Sequence, residues 1–536
     1  MHDGGFVAAD NKSRIAKLMH RLNSPGSRTF STLVLMVGSL VSKVFGIVRE
    51  FSMAAVFGTQ ATTDSWLMAS IVPNLLFGLF SNTITNVIVP VLSGHIEVEN
   101  SDARVNLYMD EVLTWSLMFS LIFVIIGEFV SAPLIHWIAP GFSGRRYHLS
   151  VVMLRIMLPT LPFTTLGAFI NGVLQSKRIF VPSTVTPIII NVFRLLGIVV
   201  LGLWLNIYGV AIGFFLAQVA QVVYLVPTLA RQKIHLHPQF SIQHPWTLVS
   251  ARLTLPYLAS RGVTVGGTIV DRIFASTLPI GRIAALNFSF VLSTLPVNLL
   301  ITPIMAPLYT ELARSFNNDN RAGFRKSLQD GFELVTMVIM PLALGFIILR
   351  VPIIRILYQH GVFNGRSTHL TAPLLMYWSI GLPAGAIATL FTRGLFAQRL
   401  TRVVSIMSIS AIIANVVGDF LLIHPMRAAG LALATSISAW VRMLGMGIWL
   451  VTRGENPVSP RIRFALAESL ALAAWCAILL AGIFVFSLNH IAFGPRLVGA
   501  AVLTVVIAGA GYSSILWVFG VVPPFVVRRL KSTSSQ

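Results

Sequence analysis

Apolar residues in this chain come in long runs, not in the short alternating patterns of soluble strands. A helix needs about 20 predominantly apolar residues to cross a bilayer. Fourteen such runs stand near 31–57, 62–92, 107–139, 149–175, 180–205, 206–230, 249–277, 279–312, 332–358, 370–398, 402–424, 428–452, 464–488 and 496–522. The pattern predicts an all-α polytopic membrane protein of fourteen transmembrane helices. Several runs hold a proline, among them Pro73, Pro162, Pro187, Pro256, Pro296 and Pro383. In lipid such breaks survive where neighbouring helices satisfy the freed backbone groups, and they are frequent in transporters.

Composition narrows the class. Of 536 residues, 55% are hydrophobic and 11% charged, against about 25% charged in soluble domains. Mean hydropathy is +0.80. This excludes a disordered chain, a disulfide scaffold and a soluble enzyme with a single anchor. The one cysteine, Cys476, allows neither an internal disulfide nor a cysteine-built metal site. The formal charge is +21, and its distribution matters more than its size. With the N-terminus inside, the inner segments hold 22 Lys and Arg and the outer loops hold 6, namely Arg145, Arg146, Arg282, Arg366, Arg427 and Arg496. Basic residues accumulate on the cytoplasmic side, so both termini are expected in the cytoplasm.

The chain repeats itself. Arg49 and Arg272 are 223 residues apart, as are Pro73 and Pro296; Pro162 and Pro383 differ by 221, Asn191 and Asn415 by 224, Gly209 and Gly430 by 221. Two six-helix lobes follow, 31–230 and 231–455. They are separated by an even number of spans and so are expected to be related by a pseudo-two-fold axis along the membrane normal. A cytoplasmic segment at 1–30, two further helices at 456–522 and a cytoplasmic tail at 523–536 complete the predicted layout.

Eleven basic residues remain in or near the spans: Lys43, Arg49, Arg155, Arg194, Arg252, Arg261, Arg272, Arg350, Arg355, Arg393 and Arg442. A charge at mid-bilayer faces the bundle interior, pairs, or snorkels to the interface. Arg350, Arg355 and Arg393 read as snorkelling, and Arg155 and Arg194 as structural. Lys43 lies deep in the first span, and Arg261 five residues past Pro256. The excess of cations predicts a cavity that receives an anion, because arginine's fork binds two phosphate oxygens. Lys43 and Arg49 sit about 240° apart on a straight helix, so lining one cavity together would require a bend, for which Gly46 is the candidate. Arg49–Glu50 and Asp271–Arg272 are near-equivalent under the repeat and read either as local ion pairs or as an outer gate. Asp64 is expected to pair with Arg49.

The residues SLVSKVFGIVREFSMAAVFGTQATTDSWLMASIVPNLLFGLF, then GVLQSKRIFVPSTVTPIIINV, LPYLASRGVTVGGTIVDRIFAS and LNFSFVLSTLPVNLL resemble the MurJ (MviN) family of lipid II flippases, within the MOP exporter superfamily. The resemblance covers about residues 31–450. It implies translocation of a polyprenyl-diphosphate saccharide, foremost the peptidoglycan precursor lipid II, from inner to outer leaflet by alternating access in the bacterial plasma membrane. It further implies a lipid-tail groove beside the last two helices. Carried over by position, Lys43 and Arg49 match the family's first-span cations and Asp64 its TD acid. Lys43, Arg49 and Arg261 are the substrate-binding candidates, and Asp64, Glu50, Asp271 and Arg272 the gate candidates. The sequence departs from the family at Phe77 and Val291, where the family carries arginine; Arg261 stands where the family is apolar.

No catalytic constellation stands out, so the chain is not read as an enzyme. No cofactor is expected. Without a P-loop, an ion gradient or the membrane potential is the expected energy source. His235 and His237 lack the further ligands of a metal site. The expected partners are the lipid-linked substrate and membrane lipids, without nucleic acid, for a monomeric transporter. Alternatives are a flippase for another lipid-linked oligosaccharide or exopolysaccharide precursor, and a non-transporting paralogue in envelope assembly. A multidrug exporter fits less well, because its class suits twelve spans and an acidic cavity.

Overall fold

In the computed structural model, residues 28–98, 102–177, 179–232, 234 and 236–458 are described, and they contain helices and no strand. The first span is one helix, α1 (Arg28–Phe57). The second is built from α2 (Ala61–Ala69), α3 (Ile71–Thr83), a π-helical turn at Ile84–Ile88, and α4 (Val89–Val98). Then follow α5 (Asp102–Ile138), α6 (Gly144–Met157), α7 (Thr160–Ser176) and α8 (Val181–Leu196). A second π turn, Gly197–Leu201, and α9 (Gly202–Leu205) lead to α10 (Ile207–Arg231). The rest comprises α11 (Pro245–Ser276), α12 (Arg282–Pro296), a third π turn at Val297–Ile301, and α13 (Thr302–Asn317). After these come α14 (Arg321–Ile348), α15 (Arg350–Tyr358), α16 (Gly365–Ala397), α17 (Thr401–Met426) and α18 (Ala428–Thr452).

Twelve of the fourteen predicted runs fall on these helices; those near 464–488 and 496–522 lie outside the described residues. Among the described residues, nine helical stretches are long and apolar enough to cross a membrane, and α6 with α7 make a tenth as a pair bent by 40°. Pro159 stands at that bend, where its missing N–H and fixed φ interrupt the helix. The lipid-facing character is visible in large apolar side chains left uncovered, such as Phe129 at 81% and Trp204 at 84%. The chain is an all-α polytopic membrane protein.

Two compact units divide at Ser276/Thr277. In the first, a core forms from the π turn at Ile84–Ile88, α4, α5, α7 and α10, around Tyr108, Phe169, Ile170 and Leu225. In the second it forms from α13, α14 and α16 to α18, around Phe324, Leu390, Phe391 and Met446. The repeat aligns α11 with α1 and so assigns it to the second lobe, 231–455. By packing it lies with the first unit, and a strap of hydrogen bonds explains this. Asp110 and Glu111 on α5 are buried, yet they accept from backbone N–H groups of the non-helical linker at 236–244: His237 to Asp110 and Gln243 to Glu111, each at 2.8 Å. Thr247 donates to Glu111 at 2.6 Å, Gln239 N–H to Thr114 at 2.8 Å, and Tyr108 meets Ser250 at 2.6 Å. Two carboxylates are stable in this place because the linker's otherwise unpaired amides satisfy them.

Within each unit the backbone follows the same script. Gly58 and Gly281, 223 apart, both have positive φ and precede the second helix of their repeat. From residue 143 onward the offset is 221. Ser143 and Asn364 are the N-caps of α6 and α16. Ile179 N–H bonds Leu174 at 2.8 Å, and Leu400 N–H bonds Leu395 at 2.9 Å. Asn206 and Arg427, non-glycines at φ 53° and 52°, turn the chain into α10 and α18. At this register the partner of Asn415 is Arg194. The expected pairing of Asn415 with Asn191 is therefore displaced by three residues, close to one helical turn.

Candidate functional site

The stripe Gly38, Ser42, Gly46 and Arg49 recurs at helical spacing along one face of α1, and that face packs on α8. A Cβ added at Gly38 would lie 1.8 Å from Thr184 Cγ2, so only glycine lets the two helices come this close. One turn further on, Asn191 of α8 donates through Nδ2 to the Ser42 carbonyl at 3.1 Å and to its hydroxyl at 3.2 Å. Its Oδ1 accepts from Arg49 Nη1 at 3.2 Å. The other arm of Arg49 pairs with Glu50. Adjacent residues on a helix do not normally face each other; here the long arginine folds back while Asn191 holds its other nitrogen. Arg49–Glu50 is thus a local pair, one of its two expected readings.

Arg194, read from sequence as structural, joins this group. Its guanidinium lies over the Phe214 ring at 4.0 Å, with Nε buried and lacking a hydrogen-bond partner among the described residues. Arg49 and Glu50 are its charged neighbours. Two cations and one anion leave a net positive centre, partly screened from solvent, in which Asn191 and Phe214 fix the two guanidinium planes. Such a centre can take up one further negative charge. Sequence signalled Arg194 only as one more cation inside an apolar run, and no local motif ties it to Arg49, 145 residues away.

Lys43 is half-buried on the adjoining face of α1, within roughly 20° of Glu50, seven residues on. α1 is helical throughout, with no unwound turn at Gly46. Gly46 faces Asn191, which an added Cβ would meet only at an ordinary contact distance of 3.9 Å, and the helix passes through it without a break. Lys43 and Arg49 therefore present to different sides.

The carboxylate of Asp64 is fully buried, and its cation is Arg146 rather than the predicted Arg49, at 3.6 Å. Arg146 begins α6 and also lies 4.0 Å from the centre of the Phe142 ring. Ser65 and Ser150 lock the same junction, donating to the Arg146 carbonyl at 3.1 and 2.9 Å. The correction has a simple cause. Asp64 lies in the first turn of α2 and faces the start of α6, whereas the Arg49 side chain is held by α8. Asp271 and Arg272 sit half-buried near the end of α11, each other's charged neighbour. The Arg261 side chain lies outside the described residues. Phe77 on α3 and Val291 on α12 are half-buried. No group of three metal-ligating side chains occurs among the described residues; His235 is not among them, and the His237 amide belongs to the strap on α5.

Known proteins provide the frame for these positions. A family model described as lipid II flippase MurJ matches residues 53–503. The lipid II flippase MurJ of Burkholderia cenocepacia is 25% identical over 523 residues, 94% of this chain and 99% of its own length. A probable lipid II flippase MurJ of Rhizobium tropici is 27% identical over 513 residues, 92% and 94% of the two chains. Among solved structures, a lipid II flippase MurJ in an inward closed conformation superposes with a TM-score of 0.75 at 22% identity, covering 91% of this chain and all of that one. An inward-facing multidrug MATE transporter of the MOP superfamily reaches 0.66 at 14% identity, covering 78% and 97%. At such identities the superpositions speak to the fold, whereas the family match spans every described helix from the C-terminal end of α1 onward: the chain belongs to the MurJ family.

Proposed function

We propose that this protein translocates lipid II, a saccharide-peptide on polyprenyl diphosphate, from the inner to the outer leaflet of a bacterial plasma membrane. The observation that carries the reading is the family match over 53–503, with relatives called lipid II flippases aligned over more than nine-tenths of the chain. The chemistry of the first unit supports it. A diphosphate brings about two negative charges, and burying them unpaired is prohibitive. Lys43, Arg49 and Arg261 supply compensating charge, with Arg194 as a fourth cation. Asn191 and Glu50 hold Arg49 in a fixed direction, so little is lost in ordering it when cargo arrives. Asp64, Asp271 and Arg272 act at the gate in this reading, while Glu50, paired locally with Arg49, holds that cation in place. A buried carboxylate such as Asp64 cannot leave Arg146 cheaply, which favours two discrete positions of α2 against α6. The transporter works as a monomer with both termini cytoplasmic, driven by an ion gradient or the membrane potential.

A second cargo, another polyprenyl-diphosphate saccharide, is favoured by Phe77 and Val291, which remove two cations the family carries. The test is replacement: the essential flippase of a bacterial host is depleted and this gene is expressed instead. Restored growth and labelled lipid II reaching the outer leaflet are expected. Membrane-inserted protein that restores neither would exclude lipid II, and export of a different polyprenyl-linked glycan would then select the second cargo.

A further inference from the structure

At the end of the first unit that the basic-residue asymmetry assigns to the outside, a cavity of about 470 Å³ opens between helix starts. Its lining includes Thr62 of α2, Gly144, Arg145 and His148 of α6, and Asn206 and Tyr208 at the turn into α10. No carboxylate lines it; the nearby acid, Asp64, faces Arg146. The Thr62 hydroxyl oxygen is buried without a hydrogen-bond partner among the described residues. Three helices of 9, 14 and 25 residues begin at the cavity wall. Gln60 and Ser143, the N-caps of α2 and α6, make no side-chain cap bond, so first-turn N–H groups there stay available; on α10 the Asn206 side chain takes only the Ile207 N–H, at 2.8 Å. Each helix start carries a partial positive charge of roughly +0.5. Arg145 adds a full charge, and His148 adds ring N–H donors.

The repeat carries the arginine and the histidine into the second unit. Arg366 and His369 on α16 stand 221 residues after Arg145 and His148, and Arg427 stands 221 after Asn206. Arg366 and Arg427 are the charged neighbours of Arg282, the first residue of α12. Arg282 is half-buried, Arg366 and Arg427 are exposed, and none of the three is in an ion pair with an acid among the described residues.

We infer that the outer cavity of the first unit, built on Thr62, Arg145, His148 and the starts of α2, α6 and α10, binds a phosphate-type anion. The ligand chemistry is a phosphate or diphosphate group, supplied either by a phospholipid headgroup or by free phosphate. The site is separate from the Arg49–Arg194 centre and does not depend on which cargo is moved.

The test uses the full chain in an uncharged detergent and radiolabelled inorganic diphosphate in equilibrium dialysis. Wild type is expected to bind one equivalent more than the Arg145→Ala/His148→Ala variant. Arg145→Gln, which keeps side-chain bulk, should weaken that equivalent at least tenfold, and Arg402→Ala at the opposite membrane face should leave it unchanged. In nanodiscs of phosphatidylcholine the equivalent persists. In phosphatidylglycerol its disappearance assigns the site to lipid headgroups, and its persistence assigns it to free phosphate. Equal binding by wild type and the double variant, or no binding by wild type, overturns the inference.

Discussion

The corner running from α8 into α10 and its counterpart from α17 into α18 share a backbone and differ in chemistry. In both, a glycine near the end of the first helix meets a small residue of the second: Gly197 against Gly213, Gly418 against Ala434. In both, a second glycine sits under a carbonyl, Gly209 at Leu201 and Gly430 at Leu422. All four pairs keep the 221 offset. Yet Arg194 over Phe214 in the first corner becomes Asn415 and Thr435 in the second, and Ile198 becomes Asp419, to which Asn415 donates at 3.1 Å. The ion pair Asp64–Arg146 likewise corresponds to Asn287 and Ser367, two neutral residues. Close packing in lipid needs small residues at set places, which constrains both copies alike. Charge is constrained only by what a copy must bind or lock, so the copies have diverged there.

The comparison breaks most readily at the ion pair. Asp64→Asn should leave the buried Arg146 uncompensated and cost about 3 kcal/mol or more, read as a loss of thermal stability in detergent. The equivalent Asn287→Asp should gain nothing, because the counterpart of Arg146 under the repeat is the neutral Ser367. Reversing the pair, Asp64→Arg with Arg146→Asp, should recover part of the loss; no recovery would mean that the surroundings, not the pair, determine these residues.

Next comes the helix approach. A Cβ at Gly213 would stand 2.4 Å from the Gly197 Cα, so Gly213→Val should cost up to about 3 kcal/mol by overpacking. Ala434→Gly, in the copy that already accommodates a methyl, should cost about 1 kcal/mol of helix propensity. Thermal unfolding of the two variants side by side measures the difference. A loss at Gly213→Val no larger than that at Ala434→Gly would show that the glycine approach does not hold the first corner together.

The polar exchange yields a functional contrast. Arg194→Met should reduce lipid II translocation in proteoliposomes about tenfold, the scale of one charge-assisted hydrogen bond, with little loss of folded protein. Asn415→Ala should instead lower stability by about 1–2 kcal/mol, by stripping a partner from buried Asp419, while leaving cargo affinity unchanged.

The smallest effect is at the turns. Arg427 holds φ 52° without a side-chain cap, so Arg427→Gly should stabilise by up to about 1 kcal/mol. Asn206→Gly should be near neutral, because relief of strain at φ 53° is offset by loss of its bond to Ile207 N–H. Opposite signs at the two turns, in matched melts, would show that the turns do not share one conformation.

Much of this was legible in the chain. The twelve apolar runs that fall on described residues coincide with helices, and the offsets of Pro162/Pro383 and Gly209/Gly430 match the register the backbone keeps. The pairing of Asn191 with Asn415 failed by three residues because residue identity is a poor guide where the copies have exchanged polar groups; a shared backbone turn, Asn206 with Arg427, corrects it. Nothing in the local sequence distinguishes Asp110 and Glu111 from other acids near a span end. Only folding brings the linker's amides, more than 120 residues away, against them.

Sequence by itself determined the membrane class, the helical elements, the doubled architecture and the excess of intramembrane cation. These follow from apolar length and from local backbone rules that act within a turn or two of the chain. Tertiary structure alone decided who meets whom: Asp64 with Arg146, Arg49 with Asn191, Arg194 with Phe214, α11 with the first unit. Those contacts join residues separated by 20 to more than 140 positions. Helix packing selects them from many equally charged candidates, and nothing in a single run of residues records the choice.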